Sequence, residues 1–364
     1  MAERYQFEFR PYQRKFRRSL TTSHGSWNVR QGIIIRLTDA TGKVGWGEIA
    51  PLPWFGSETC EQSLSFCENL PSEITSDIIK AIPDDLPACQ FGFETPTLRS
   101  QAEPGNEGGA TGTSPRSGPP PLRRGLQEDS LTYSCLLPAG PESLQSWQGF
   151  WHQGYRTFKW KIGVIPIAEE LKIFGLLRKE LPLGTKLRLD ANGGLTWEEA
   201  CQWLDACECP AVEFMEQPLG VEKFEEMQEL SEQYATPIAL DESVATLDRL
   251  ETCYHRGWRS IFVIKAAIAG SPSRLRQFCR SHPLDIVFSS VMETAIGRNA
   301  ALKLAAELQT FPGSAWERGA LRASPSQRSK SGEESRHRRA VGFGVKQWFT
   351  ENDDNWLKEL WDNH

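Results

Sequence analysis

The 364-residue sequence lacks any uninterrupted run of about 18 apolar residues, so we expect no membrane-spanning helix. Its opening string, MAERYQFEFR, also lacks the apolar core of a secretion signal, and we therefore expect a cytoplasmic protein. The net charge of −6 leaves no basic excess that would favour nucleic acid or a membrane as partner. The nine cysteines are an odd number scattered through apolar segments, which indicates reduced thiols rather than a disulfide framework.

Two segments contain few large apolar residues. Residues 101–125 and 314–339 are rich in glycine, proline, serine or charge, and cannot bury enough apolar surface to offset the entropy lost on ordering. We predict that both are disordered insertions. They interrupt a chain that begins with an α+β part, where Asp39–Gly42 indicates a hairpin turn, and continues with strand–helix units and a last strand, VGFGV.

Five apolar, strand-like runs each close on a polar residue at nearly constant intervals. The runs are TFKWKI, KLRLD, AVEFME, PIALD and SIFVIK. The residues Lys161, Asp190, Glu216, Asp241 and Lys265 are separated by 29, 26, 25 and 24 positions. One strand, one helix and two loops need about this length of chain, so the repeat predicts a parallel α/β barrel whose strand ends meet at one mouth.

The three acids of this series are candidate metal ligands. Asp190, Glu216 and Asp241 would repel one another strongly at a shared mouth unless a cation lay between them. Hard oxygen ligands suit Mg²⁺, with Mn²⁺ as a substitute. Asn192 and Glu242 follow two of these acids closely and are expected to support the site. The alternative is that each acid independently caps the helix that follows it.

The lysines are candidate acid–base groups. Lys159 and Lys161 point to the same side of their strand, because side chains alternate along a strand. Two neighbouring ammonium groups in an enclosed site lower each other's pKa, which would let one of them act as a general base. A lysine base, a metal ion and a second lysine at Lys265 suit removal of a proton next to a carboxylate. The alternative is a pair of surface lysines on an edge strand.

The strings KWK, LDAN, EQP and LDES, followed by Lys265, resemble the muconate-lactonizing-type branch of the enolase superfamily. The strings RQG, at residues 30–32, and GWGEIAPLPWFGSET, at 45–59, resemble the capping domain of the o-succinylbenzoate synthase family. The resemblance implies an α/β fold with an enolase-type modified barrel, (β/α)7β. In that arrangement residues 1–130 form an α+β capping domain and 131–345 form the barrel. Residues 346–364 then pack back on the capping domain.

The resemblance also implies an activity. It is the Mg²⁺-dependent syn-dehydration of 2-succinyl-6-hydroxy-2,4-cyclohexadiene-1-carboxylate to 2-succinylbenzoate, in menaquinone or phylloquinone biosynthesis. Lys161 would be the base, Lys265 would stabilise the anion, and Lys159 would tune Lys161. Residues implied to contact the substrate are His24, Gly25, Ser289, Ser290 and Glu293. For the last three, the alternative is a cluster that caps the following helix.

Other functions remain open at this point. An N-succinylamino acid racemase would share the same lysines and acids and differ only in substrate. A dipeptide epimerase is expected to carry an acidic D-x-D motif just after the last strand, and VGFGVKQWF has none. An inactive barrel used as a scaffold is the non-enzyme alternative. The expected partner is a small-molecule carboxylate, with the protein acting as a monomer or homo-oligomer.

Overall fold

The computed structural model describes residues 2–22, 25–101, 131–309, 339–345, 348–349 and 353–362. Most of the two predicted insertions lies outside these ranges. Their two described ends belong to the ordered fold, because Gln101 ends a helix and Arg339 forms ion pairs beside the last strand. The rest of both insertions lies outside the described residues, so their disorder stays a prediction. Within the described ranges, no helix is long and apolar enough to cross a membrane.

An antiparallel sheet with the strand order β3-β2-β1-β4 forms the N-terminal part. Its strands and the neighbouring helices are β1 (Arg4–Thr22), β2 (Gly25–Asp39), β3 (Val44–Ile49), α1 (Cys60–Glu68), β4 (Glu73–Thr75), α2 (Ser76–Lys80) and α3 (Pro87–Gln101). The predicted hairpin turn between β2 and β3 is confirmed. The backbone amides of Thr41 and Lys43 donate to the Asp39 carboxylate at 2.8 and 3.0 Å.

An eight-stranded sheet follows, and its hydrogen-bonded neighbours are parallel. Its elements are β5 (Tyr133–Leu136), α4 (Ser143–His152), β6 (Thr157–Lys161), α5 (Ile167–Glu180), β7 (Lys186–Asp190), α6 (Trp197–Ala206), β8 (Val212–Glu216), α7 (Phe224–Gln233), β9 (Ile238–Leu240), α8 (Leu247–His255), β10 (Ile261–Ile264), α9 (Ala266–Ala269), α10 (Pro272–Ser281), β11 (Asp285–Phe288), α11 (Ala295–Gln309) and β12 (Val341–Gly344). A parallel bridge between Ser289 and Gly342 joins the two edge strands. The sheet therefore closes into the expected barrel.

Alternation along β6 separates the barrel interior from its outer layer. Trp160 is fully buried and packs edge-to-face on Trp203 of α6, with ring centroids 6.0 Å apart. Lys159 and Lys161 therefore point to the other side of the strand, into the barrel. The interior below them is filled by a separate apolar cluster, made of Phe214, Ala239, Ile261, Val263 and Val287.

An ion-pair network lies toward the N-terminal ends of the barrel strands. Glu213 pairs with Arg188 at 2.7 Å and with Arg339 at 3.0 Å. Arg339 also pairs with Asp285, the first residue of β11, at 2.7 Å. Arg339 thereby fixes the chain where it enters β12. This contact explains why the residue is ordered despite its place in a basic, low-apolar segment.

The last described helix, α12 (Asp353–Asp362), packs on the N-terminal sheet. Its Leu357 and Trp361 form a buried cluster with Tyr12 and Trp46. The rings of Trp46 and Trp361 meet edge-to-face with centroids 4.6 Å apart. This contact brings the C-terminal end of the chain back to the first sheet.

Candidate active site

The polar residues that close the barrel strands lie together at one end of the barrel. Lys161, Asp190 and Glu216 are the last residues of β6, β7 and β8, and their Cα atoms pair in register across the sheet. Asp241 and Lys265 directly follow β9 and β10. All five side chains are buried. The mouth of the barrel is therefore a charged and enclosed site.

The ammonium group of Lys159 lies between two of the acids. Its Nζ atom is 2.8 Å from Asp190 Oδ2 and 2.6 Å from Glu216 Oε1. Lys161 Nζ is 2.9 Å from the same Asp190 oxygen, and Lys265 forms an ion pair with Asp241. Each of the three acids thus contacts at least one ammonium group.

Burial disfavours charge throughout this site, and the contacts decide the direction of each pKa shift. Burial lowers the pKa of Lys159, but the carboxylates of Asp190 and Glu216 outweigh it and hold that pKa above its ordinary value. For Asp190, burial is outweighed by the two lysines, which keep its pKa below the usual range. Burial raises the pKa of Glu216. The negative charges of Asp190 and Asp241 raise it further, and together they outweigh the lowering by Lys159. For Lys159, the two contacting carboxylates therefore act against the lowering of the pKa that is expected from the lysine pair.

The donor set at the mouth suits a hard divalent cation. Asp190, Glu216 and Asp241 offer only oxygen atoms, as Mg²⁺ and Mn²⁺ prefer. The ammonium of Lys159 between Asp190 and Glu216 shows that a cation fits between these two carboxylates. Across the described ranges, no three acidic, histidine or cysteine side chains converge tightly enough to form a ready-made metal site.

Asn192 and Glu242, which were expected to support the site, touch it directly. The Asn192 side-chain oxygen accepts a hydrogen bond from Lys161. Its Nδ2 donates to Glu242 Oε1 at 3.0 Å, and its backbone amide donates to Asp190 Oδ1 at 3.1 Å. Asn192 has a φ of 47°, a left-handed conformation that is uncommon outside glycine and often marks functional sites. This turn places its amide group beside Lys161.

Gln217 is a part of the site that was not predicted. It follows Glu216, is fully buried, and has a φ of 40°. Its Oε1 atom accepts from the backbone amides of Asp241 and Ser243 at 3.0 and 3.2 Å. Its Nε2 atom donates to Ser243 Oγ at 2.8 Å. Gln217 thereby fixes the end of β8 relative to the end of β9, and the only sequence signal for it is its place in the EQP string.

The acids at the strand ends do not act as helix caps. Thr196 caps α6 through its side chain, and Lys223 precedes α7. Asp241 precedes a short 3₁₀ turn, Glu242–Val244, but its side chain makes no capping hydrogen bond there. The alternative of three independent caps is therefore wrong.

An apolar wall from the N-terminal part covers the charged mouth. The residues that form this wall of the cavity are Leu20, Trp27, Leu52, Trp54 and Phe55. Lys265 Nζ lies 4.2 Å from the centre of the Phe55 ring, a cation–π contact. Arg249 of α8 donates to the Phe55 carbonyl at 3.2 Å and so fastens the wall to the barrel. The site thus has a charged floor and an apolar cover.

Two of the three residues expected to bind substrate from the β11 end reach the cavity. Ser289 and Ser290 line it. Glu293 is buried instead in its own loop, where its Oε2 atom accepts from Ser290 Oγ at 2.9 Å and from the Val291 amide at 2.6 Å. Met292, with a φ of 60°, turns the chain so that Glu293 points inward. Glu293 thus supports the serine-bearing loop through these hydrogen bonds, and its direct contact with substrate stays a prediction.

The β1–β2 hairpin contributes to the cavity wall. Gly25 is exposed and falls outside the set of described residues that line the cavity. His24 lies outside the described residues. Leu20 and Trp27, further from the hairpin tip, contribute to the lining instead.

Comparisons with known proteins identify the family. The MenC N-terminal domain model matches residues 9–99, and the enolase C-terminal domain-like model matches residues 142–336. The chain is 39% identical over 306 residues to the o-succinylbenzoate synthase of Thermosynechococcus vestitus, which covers 82% of this chain and 88% of the relative. The chain belongs to the o-succinylbenzoate synthase family.

Solved structures of this family and of a more distant enzyme share the fold. The o-succinylbenzoate synthase from Thermosynechococcus elongatus BP-1, solved with Mg in its active site, matches with a TM-score of 0.77 and 33% identity over 99% of this chain and 100% of that one. The L-Ala-D/L-Glu epimerase from Bacillus subtilis matches with a TM-score of 0.67 over 82% and 86% of the two chains. At 22% identity, the second match concerns the fold alone. The expected enolase-type barrel is confirmed.

Proposed function

We propose that this member of the o-succinylbenzoate synthase family catalyses the Mg²⁺-dependent syn-dehydration of 2-succinyl-6-hydroxy-2,4-cyclohexadiene-1-carboxylate to 2-succinylbenzoate. The activity is that of a carbon–oxygen lyase, and its product serves menaquinone or phylloquinone biosynthesis. One observation carries the proposal: Lys161 and Lys265, four strands apart in the closed barrel, line the same enclosed cavity. A ring carboxylate bound between them presents its neighbouring carbon to one lysine side chain on each side.

Lys161 is the proposed base. Its Nζ atom removes the proton next to the carboxylate, and then returns a proton to the departing hydroxyl group on the same face of the ring. Asp190 and Asn192 hold this nitrogen from two sides, so its position is fixed before substrate binds. General-base catalysis of this kind contributes about 10²–10⁴-fold to the rate.

Lys265 and Lys159 are proposed to act through charge. Lys265 stabilises the negative charge that develops on the substrate when the proton leaves, in an enclosed site where such interactions are strong. The Phe55 ring and Asp241 hold its ammonium group in place. Lys159 adds a second positive charge beside Lys161 and thereby tunes it. The apolar wall above excludes water from these groups.

Asp190, Glu216 and Asp241 are the proposed ligands of the divalent cation. When bound, Mg²⁺, or Mn²⁺ in its place, supplies Lewis-acid stabilisation of the substrate carboxylate. The oxygen-only donor set and the ammonium group lodged between two of the acids support this assignment. Ser289 and Ser290 offer hydroxyl groups to the polar ends of the substrate from the opposite wall.

We further propose the expected division of the chain. Residues 1–130 form the capping domain, residues 131–345 form the barrel, and residues 346–364 return to the capping domain. The packing of α12 on the first sheet supports the last assignment. The protein is proposed to act in the cytoplasm on a small-molecule carboxylate, as a monomer or a homo-oligomer.

Substrate comparison tests the proposed reaction. The protein is incubated with Mg²⁺ and the cyclohexadiene carboxylate, and formation of the aromatic ring is followed by ultraviolet absorbance. An N-succinylamino acid is tested in parallel for loss of optical rotation. We expect dehydration to proceed with the higher kcat/KM. Racemisation without dehydration would favour the racemase instead.

A further inference from the structure

A buried carboxylate outside the reacting groups links the two sheets. Glu48, in β3, is fully buried. Its Oε1 atom accepts from the Thr294 amide at 2.8 Å and also from the Tyr12 hydroxyl. Its Oε2 atom accepts from the Gly297 amide at 2.9 Å and from the Thr294 hydroxyl. One side chain of the N-terminal sheet therefore binds three donors at the start of α11 in the barrel.

The fit between Glu48 and α11 is close. A Cβ atom added at Gly297 would lie only 2.8 Å from Glu48 Oε2, so a larger residue at this position would make the carboxylate shift. α11 is 15 residues long, and a negative charge at its N-terminus is favourable because of the helix dipole. A carboxylate at position 48 and a glycine at position 297 therefore suit this contact.

The contact continues into the cavity wall. Thr294 directly follows Glu293, whose carboxylate holds Ser290 and the Val291 amide. Ser290 lines the cavity. A displacement of Thr294 must move Glu293, and through it the serine that faces the substrate. Thus the position of the cavity wall depends on a side chain of the first sheet.

We propose that Glu48 is a positioning residue for substrate binding. By holding Thr294 and Gly297, it keeps the segment 289–293 in the arrangement in which Ser289 and Ser290 meet the substrate. The inference rests on the proposed function for the identity of that substrate. Without the Glu48 carboxylate, part of the binding free energy of the substrate must be used to bring segment 289–293 into this arrangement. If the segment adopts its binding arrangement a tenth of the time, the apparent dissociation constant rises about tenfold.

Glu48→Gln is the main test variant. The amide keeps the size of the side chain but turns an NH₂ group toward an N–H donor of Thr294 or Gly297. Glu213→Gln is the matched control, because Glu213 also has a largely buried side chain with several partners, but it lies toward the other end of the barrel. Thr294→Val, which removes one donor, and Gly297→Ala, which displaces the carboxylate, report on the same contact should Glu48→Gln fold poorly.

Steady-state kinetics at a temperature well below unfolding separates positioning from stability. We expect Glu48→Gln to raise KM about tenfold with a smaller change in kcat, and to weaken binding of 2-succinylbenzoate by a similar factor. Thr294→Val and Gly297→Ala should shift KM in the same direction. Glu213→Gln should lower the unfolding temperature and leave KM within about twofold of the parent. Equal KM values for Glu48→Gln, Glu213→Gln and the parent would overturn the proposal.

Hydrogen exchange keeps this test independent of the reaction. Exchange of the peptide covering residues 289–297, followed by mass spectrometry, should be faster in Glu48→Gln than in the parent and unchanged in Glu213→Gln. A parent that converts none of the substrate refutes the proposed function. Unchanged exchange of this peptide in Glu48→Gln refutes the positioning role, whatever the substrate is.

Discussion

Lys161→Ala should remove the proton-abstracting group while leaving the rest of the barrel mouth in place. Asp190 keeps its contact with Lys159 at 2.8 Å, so its buried charge stays paired. The strand itself is held by backbone pairing with β5 and β7, which an alanine does not disturb. We therefore expect a folded variant whose defect lies in the chemical step.

The size of this defect follows from the lack of a replacement base. A positioned base typically contributes about 10²–10⁴-fold. Lys159 is engaged by Asp190 and Glu216, and the lowered pKa of Asp190 makes that carboxylate a weak proton acceptor. We expect a loss toward the upper limit, on the order of 10⁴-fold in kcat, which corresponds to about 5 kcal/mol in the activation free energy.

Two assays measure the loss. Dehydration is followed by ultraviolet absorbance, and proton abstraction is followed separately by deuterium exchange of a substrate analogue that lacks the hydroxyl leaving group. Lys161→Ala should lose both, Lys265→Ala should also be severely impaired, and Lys159→Arg should be milder because it keeps the charge. Lys172→Ala, at an exposed position of α5, is the control. Exchange that survives in Lys161→Ala but not in Lys265→Ala would reverse the roles, and near-normal activity in both would refute the mechanism.

Two further predictions concern the metal and the barrel closure. Glu216→Gln should weaken Mg²⁺ binding, measured by calorimetry, at least about tenfold. The unfolding temperature should change little, because the amide removes one of three mutually repelling acids. An unchanged affinity for Mg²⁺ would exclude Glu216 as a ligand. Arg339→Met should lower the free energy of unfolding in urea by about 2 kcal/mol, since it leaves Asp285 and Glu213 with fewer partners in a partly exposed network. A change below about 0.5 kcal/mol would contradict that role.

The location of the site could be predicted from sequence because parallel barrel strands all end at the same side. A polar residue that closes an apolar run is visible locally, and regular spacing then brings Asp190, Glu216 and Asp241 to adjacent strand ends. Alternation along β6 likewise predicted that Lys159 and Lys161 share a direction. These inferences need only the strand periodicity and the repeat length, and both can be read directly from the amino-acid sequence.

The surroundings of the site depend on contacts that no local pattern contains. Glu48 and Thr294 are 246 positions apart, and neither residue stands in a periodic run that signals their contact. Glu293 follows a strand end closely, but no local pattern indicates that its carboxylate accepts from Ser290 and the Val291 amide after the left-handed turn at Met292. Arg339 was placed with a disordered segment by composition, whereas its ion pairs with distant acids order it.

The central claim is a metal-dependent dehydration at this barrel mouth, and one measurement tests it most directly. The protein is stripped of divalent cations with a chelator, and the rate of aromatisation of 2-succinyl-6-hydroxy-2,4-cyclohexadiene-1-carboxylate is recorded before and after Mg²⁺ is added back. We expect turnover to disappear after chelation and to return with Mg²⁺. Full turnover after exhaustive chelation, or none after Mg²⁺ is restored to folded protein, would contradict the account.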